Sequence, residues 1–172
     1  VSHLGVDTYQ DVYEPSEDTF LLESALEHDL PFLSQYSSPI CIEIGPGTGY
    51  LIAKLGLLLE KKGFFLGLDR NPIAARTTNQ TLTYNKVTPS DCIVGDLFHN
   101  LSSAWQNQID IIVFNPPYVP TEKDEFVNAK GLALAWAGGL DGREVIDSFL
   151  ADLDRWLSPS GCCYLLLLKE NK

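Results

Sequence analysis

The chain contains no methionine, not even at position 1, and sets only 12 lysines and arginines against 23 aspartates and glutamates, for a formal net charge of −11. The missing initiator implies that the 172 residues do not start at a translation start and are trimmed at one end or the other. The shortage of basic side chains excludes more. No basic run exceeds Lys61-Lys62, so the chain lacks the charge by which proteins neutralise nucleic-acid phosphates, and a basic partner surface suits it better. The four cysteines, Cys41, Cys92, Cys162 and Cys163, make no C-x-x-C pair, which removes the usual zinc and redox motifs; each sits in an apolar run and reads as a small core residue of a reducing compartment. Neither a secretory leader nor an apolar stretch of membrane length is present. The sequons at Asn79 and Asn100 are therefore discounted, no membrane partner is expected, and the expected location is cytoplasmic, with the nucleus open.

What is present is a hydrophobic content of 45%, enough for the core of one α/β domain spanning 1–172. Short apolar runs at 39–45, 63–69, 90–96, 109–115 and 161–168 alternate with helical patterns, which predicts an open, mostly parallel sheet with helices on both faces. Near-continuous hydrophobicity in these runs means strands buried on both sides. Asn71-Pro72 marks one helix start and Ser16, followed by Glu17 and Asp18, another. Val145, Ile146, Phe149, Leu150, Leu153 and Trp156 form an apolar stripe expected in the core, on a helix ending before "SPSG" at 158–161. The stretch 119–142 has no clear periodicity and reads as a long loop of functional importance.

"CIEIGPGTGYL", 41–51, is a strand, a glycine turn and a helix start, in which Gly45, Gly47 and Gly49 let the backbone turn and approach a ligand. Tyr50 fills the third glycine position of the dinucleotide fingerprint, which weakens a nicotinamide reading, and no Gly-Lys-Ser/Thr follows, which excludes a P-loop. G-x-G-x-G preceded by Glu43 is instead the spacing of S-adenosylmethionine-dependent methyltransferases. Asp69 ends the second strand, where a carboxylate can accept ribose hydroxyls, although it could equally cap the next helix. Asp96 and Leu97 end the third, where they could meet an adenine amino group and ring. Carboxylates at the carboxyl ends of successive strands lie where open α/β sheets bind ligands.

"IDIIVFNPPYVPT", 109–121, breaks a buried strand with a polar, proline-locked corner. Neither Pro116 nor Pro117 has an N–H, so the Asn115 side-chain oxygen and a proline carbonyl are left to accept the two N–H bonds of a substrate –NH2 group. The Tyr118 ring offers a stacking face, and a nitrogen so held is aimed for transfer by positioning, without a strong base.

Taken together, "DVYEPSEDTFLL" (11–22), "EIGPGTG" (43–49), "LDRNPIAA" (68–75), "GDLF" (95–98), "VFNPPYV" (113–119) and "AWAGGLDGREVIDSF" (135–149) resemble the HemK-like protein-glutamine N5-methyltransferases that modify class I translation release factors. "YEPSEDT" and "WAGGLDGRE" resemble the short eukaryotic and archaeal branch in particular. The resemblance implies a Rossmann-like class I methyltransferase fold binding S-adenosylmethionine, with a helical segment over 1–30 covering the cofactor and an α/β core over 39–172. It implies that Thr19 and Glu17 lie over the cofactor, that Glu43, Gly45 and Gly47 approach its methionine part, that Asp69 holds the ribose, and that Asp96 with Leu97 holds the adenine. Asn115, Pro116, Pro117 and Tyr118 are implied to hold the glutamine of a Gly-Gly-Gln loop, Asn115 facing the cofactor as well. A small zinc-binding activator subunit is the implied heterodimer partner; the chain itself has no metal-ligand cluster in its sequence. The family continues past the fifth strand with a helix and a two-strand hairpin, whereas this chain stops at Lys172, so the hairpin is expected to be missing and the edge of "CCYLLLL" bare.

Adenine-N6 methylation of DNA or RNA is the competing reading, because "NPPY" serves those enzymes too and an exocyclic amine presents the same two donors. The net charge of −11 argues against it. A non-catalytic scaffold with the same fold is a third reading, and the intact Asn115, Asp69 and glycine turn argue against that.

Overall fold

A computed structural model describes residues 1–171. Five strands, β1 (Ile40–Ile44), β2 (Phe64–Asp69), β3 (Ser90–Val94), β4 (Ile109–Phe114) and β5 (Leu157–Leu165), form one sheet in the order β3-β2-β1-β4-β5, and every pairing is parallel. The helices are α1 (Glu17–His28), α2 (Leu30–Leu33), α3 (Tyr50–Leu58), α4 (Pro72–Tyr84), α5 (Lys123–Val127) and α6 (Glu144–Trp156). Alternate residues of the central strands feed two cores. Cys41, Ile111 and Val113 meet Leu22, Leu26, Leu55 and Leu82 from α1, α3 and α4 on one face. Ile42, Ile44, Ile112 and Phe114 meet Phe149 and Trp156 from α6 on the other. The all-parallel sheet is the Rossmann-like fold expected; its central strands β1, β2 and β4 are buried on both faces, whereas the edge strands β3 and β5 are only partly buried and keep polar residues such as Ser90, Asp91, Ser158 and Ser160, because an edge strand has a neighbour on one side alone.

The chain runs β1, β2, β3 outward in one direction and then returns to place β4 on the other side of β1. The loops after β1 and β4 consequently diverge, opening a crevice at the carboxyl ends of the strands. Local chemistry holds this geometry. The Asn71 Oδ1 accepts the Ile73 N–H at 2.9 Å to start α4, and its Nδ2 donates to the Asp11 carbonyl at 2.8 Å, tying the N-terminal segment across the end of β2. Tyr50, in the place of a third glycine, donates its hydroxyl to Glu23 at 2.8 Å and meets the Phe20 ring edge-on at 5.8 Å, clamping α1 against the start of α3.

Three expectations need correction. β5 begins at Leu157, directly after α6, and not after "SPSG". The segment 158–160 is extended because the Ser158 hydroxyl donates to Asp110 at 2.8 Å and a register shift between Ile109 and Ile111 absorbs it; Pro159 is tolerated because β5 is an edge strand. The stretch 119–142 is not one irregular loop: it carries α5, two short 3-10 turns and a parallel bridge between Val119 and Ala137. Leu150 stands 46% exposed, because the buried stripe of α6 runs through Ile146, Phe149 and Trp156.

Candidate active site

The crevice contains a cavity of about 330 Å³, within the range of small-molecule sites, walled by the β1–α3 turn, the ends of β2, β3 and β4, the start of α1 and the segment 126–137. At the β1–α3 turn, Gly45, Gly47 and Gly49 have φ of +60°, +56° and +76°, the left-handed region that glycine adopts without strain. A Cβ on Gly45 or Gly47 would meet nothing closer than 3.9 Å, so these two leave backbone open to the cavity. Gly49 serves packing instead, since a Cβ there would lie 2.8 Å from the Thr78 backbone in α4.

Two carboxylates support this turn from below. Glu43 is buried on β1 and accepts the Ile52 N–H at 2.7 Å; burial drives its carboxyl well above the ordinary range, against the pull of that hydrogen bond. Asp69, at the end of β2, accepts the Gly47 N–H at 3.0 Å and the Asn71 N–H at 2.8 Å. Burial raises its carboxyl too, with both hydrogen bonds opposing. Each Asp69 oxygen thus already holds one backbone donor, with its remaining lone pairs available to a hydroxyl. Asp96 lines the cavity half-exposed, 3.5 Å from the Arg70 guanidinium, and Leu97 lies beside it in a left-handed conformation, φ +48°.

At the far wall the corner after β4 brings Asn115, Pro116, Pro117 and Tyr118 into the same cavity. The Asn115 Oδ1 is buried and has no hydrogen-bond partner. Such an orphaned acceptor is costly unless a ligand satisfies it. The Asn115 side chain bonds the carboxylate of Asp18, which also accepts the Tyr118 hydroxyl at 2.9 Å, the Tyr13 hydroxyl at 3.1 Å and the Thr19 N–H at 2.6 Å. Burial pushes the Asp18 carboxyl up, but these four partners together outweigh it and hold the group below its usual value, as an anion. The Tyr118 phenol moves the other way, to about 12, through burial first and then through its bond to Asp18.

Thr19 lines the cavity, with its hydroxyl accepting the Ser16 N–H at 3.3 Å in the α1 cap. Glu17 is exposed and does not line the cavity; one residue along a helix is a rotation of about 100°, and that turn exchanges Glu17 for Asp18. The sequence held a signal for this. Thr19, Leu22 and Leu26 form the buried stripe of α1, and Asp18 lies four residues before Leu22, on its border. The functional weight expected of 119–142 agrees with its place in the cavity wall, but Tyr13 and the individual lining residues from Phe126 to Trp136 carry no periodicity that would name them in advance.

The glycine cradle, the strand-end carboxylates and the orphaned Asn115 oxygen fit an adenosyl cofactor with a second substrate beside it. Comparison with known proteins agrees: the methyltransferase small domain matches residues 19–138. The chain belongs to this family. Methyltransferase HEMK2 of Mus musculus is 41% identical over 98% of this chain and 77% of its own length. The eRF1 methyltransferase catalytic subunit mtq2 of Schizosaccharomyces pombe is 37% identical over 99% of this chain and 78% of its own. These relatives bear out the HemK-like resemblance and make the protein an S-adenosylmethionine-dependent methyltransferase. Among solved structures, the ribosomal protein L11 methylase from Lactobacillus delbrueckii subsp. bulgaricus superposes with a TM-score of 0.60 at 14% identity, over 90% of this chain and 61% of that one, a likeness of fold.

Proposed function

We propose that this protein transfers a methyl group to the side-chain amide nitrogen of the glutamine in the Gly-Gly-Gln loop of a class I translation release factor. The observation that carries the reading is the buried, unpartnered Oδ1 of Asn115 beside the ionised Asp18. The names and identities of the relatives support the substrate.

The bound cofactor supplies an electrophilic methyl group on a sulfonium. Gly45, Gly47 and Glu43 would hold its methionine part, Asp69 the ribose and Asp96 with Leu97 the adenine, and Thr19 would cover it from α1. Asn115 accepts one N–H of the substrate amide through Oδ1 and the Pro116 carbonyl accepts the other. With both hydrogens held, the nitrogen lone pair has one direction left, toward the cofactor side of the cavity. Positive charge developing on the nitrogen as it takes the methyl group is met by two acceptor oxygens and by the fixed anion of Asp18, in a cavity where such charges are poorly screened, and the product becomes a neutral N-methyl amide by releasing one of its two held protons to solvent. Pro117 keeps the corner rigid, and the Tyr118 ring stacks on the flat amide. The chain works as one methyltransferase domain, with 1–30 covering the cofactor.

A small zinc-binding activator subunit is the partner; that the fission-yeast relative is a catalytic subunit supports a second chain. No helix among the described residues is long and apolar enough to cross a membrane, which is compatible with work on a cytoplasmic release factor. The test is methyl transfer from labelled S-adenosylmethionine, with and without the activator, to a release factor, to its loop Gln→Ala variant and to DNA. Label on the intact release factor alone is the expected result, and label on DNA refutes the reading.

A further inference from the structure

The active-site corner cannot orient itself. Pro116 and Pro117 lack N–H groups, so the backbone between β4 and Tyr118 has little to bond with, and its direction must be set by groups that reach it from elsewhere. Asp18 does this at the side chains of Asn115 and Tyr118. A second clamp acts on the backbone. After β5 the chain crosses under the corner, where the Leu166 N–H donates to the Phe114 carbonyl at 3.1 Å, and it then turns through an Asn171 N–H to Leu168 carbonyl bond at 3.2 Å. This turn presents the Asn171 carboxamide to two carbonyls at once: Nδ2 donates to Tyr118 O at 2.9 Å and to Gly142 O at 2.8 Å. Gly142 has φ +70°, and a Cβ on it would collide with the Tyr118 carbonyl, so the glycine segment and the corner are in direct backbone contact where Asn171 joins them.

Resting on the glutamine-methyltransferase reading above, we propose that Asn171 is a positioning residue for methyl transfer. By pinning the Tyr118 carbonyl to Gly142 it fixes the angle at which Asn115 and the Pro116 carbonyl meet the substrate amide, without touching cofactor or substrate. Two donated hydrogens are the essential feature. Asn171→Asp keeps the shape but sets carboxylate oxygens against two carbonyl oxygens, whereas Asn171→Ala leaves room for water to bridge them.

The experiment compares the unmodified protein with Asn171→Asp and Asn171→Ala, each with the activator, reading kcat, the KM for the release factor, and the calorimetric Kd for S-adenosylmethionine. Both variants are expected to keep that Kd within about twofold, while kcat falls by roughly tenfold or more in Asn171→Asp and by less in Asn171→Ala, in line with the cost of misplacing reacting groups. A role in packing alone predicts the reverse order, with the isosteric Asp closest to normal. Normal kcat in Asn171→Asp, or loss of cofactor affinity in step with kcat, overturns the proposal. If Asn171→Asp does not fold, Asn171→Ala decides by its kcat and Kd. Hydrogen exchange supplies a readout independent of activity: the Val119 and Gly138 amides, which bond to the Trp136 and Val119 carbonyls, should exchange faster in Asn171→Ala while β1 and β2 are unchanged. Unchanged exchange refutes the clamp even if the unmodified protein methylates no glutamine, an outcome that would instead refute the substrate.

Discussion

Three carboxyl groups near the cavity are shifted in different directions, because burial competes with hydrogen bonding differently at each. Asp18 wins enough donors to stay ionised, Glu43 has one backbone donor against complete burial, and Asp69 has two. Glu43 is therefore a stability cost at neutral pH. Its folded pKa lies above the unfolded one, so the folded state binds the extra proton between the two, and stability falls as pH rises from the ordinary carboxylate value through the raised one. Glu43→Gln keeps an oxygen for the Ile52 N–H and removes the titration. It should raise stability at pH 7.5 by about 1 kcal/mol, roughly 3 °C in Tm, and the gain should vanish in melts below the ordinary carboxylate pKa. A gain independent of pH would mean that the charge is not its source. Asn115 serves the reaction through its oxygen: with Oδ1 unpartnered, Asn115→Ala removes no internal bond from that atom and gives up only the side chain's bond to Asp18. Methyl transfer should fall by about 10²- to 10³-fold, as for other removed transition-state partners, with cofactor Kd within a few-fold by calorimetry; parallel loss of both would place Asn115 on the cofactor.

At the level of elements, the β1–α3 turn performs two tasks with glycines that look alike in sequence. A Cβ on Gly47 would sit in ordinary contact, 3.9 Å from Tyr13 and Val12, whereas one on Gly49 would meet the Thr78 backbone at 2.8 Å. Gly49→Ala should cost about 2 kcal/mol or more through overpacking and backbone strain, lowering Tm by roughly 6 °C. Gly47→Ala should cost about 1 kcal/mol from its left-handed backbone, yet weaken S-adenosylmethionine more than Gly49→Ala does, because Gly47 lines the cavity and Gly49 does not. Melts and calorimetry on both variants separate the tasks, and equal effects would refute the division. The strand–turn–helix here was legible in the sequence because the apolar run and the glycine spacing are local signals, as is the Asn71-Pro72 start of α4 after β2. What was not legible depended on tertiary placement. Glu17 and Asp18 are both acids in the first turn of α1; the spacing of Asp18 from Leu22 hints at which one turns inward, but the bonds that Asp18 makes to Tyr13 and Tyr118 come from segments that only the fold brings together. The start of β5 depends on Asp110 holding Ser158, a partner 48 residues away. The bridge from Val119 to Ala137 is likewise a long-range pairing that no periodicity announces.

Over the whole molecule, one topological fact and one electrostatic fact act together. The sheet order places the ends of four strands around a single crevice, and the acidic composition lines that crevice with acidic side chains, Asp11, Asp18, Glu43, Asp69 and Asp96, of which Asp18 is held as an anion while burial opposes charge on Glu43 and Asp69; its basic member, Arg70, lies against Asp96. A sulfonium cofactor is favoured in such a field, and a phosphate backbone approaching the same mouth is not. An adenine methyltransferase must bring a polyanion to this corner and so must neutralise several phosphates. With a net charge of −11 the chain offers no such surface, and screening at physiological salt, with a Debye length of about 8 Å, weakens repulsion without creating attraction. A labelled duplex and a labelled single strand should therefore show no saturable binding below about 100 μM at 150 mM salt, weaker than ordinary non-specific DNA binding, and lowering the salt should not rescue it, since released counterions strengthen only proteins that neutralise phosphates. Fluorescence anisotropy across a salt series checks this. Binding that tightens steeply as salt falls would reveal a basic surface and reopen the nucleic-acid reading; flat, absent binding leaves the amide of a protein side chain as the nitrogen that Asn115 receives.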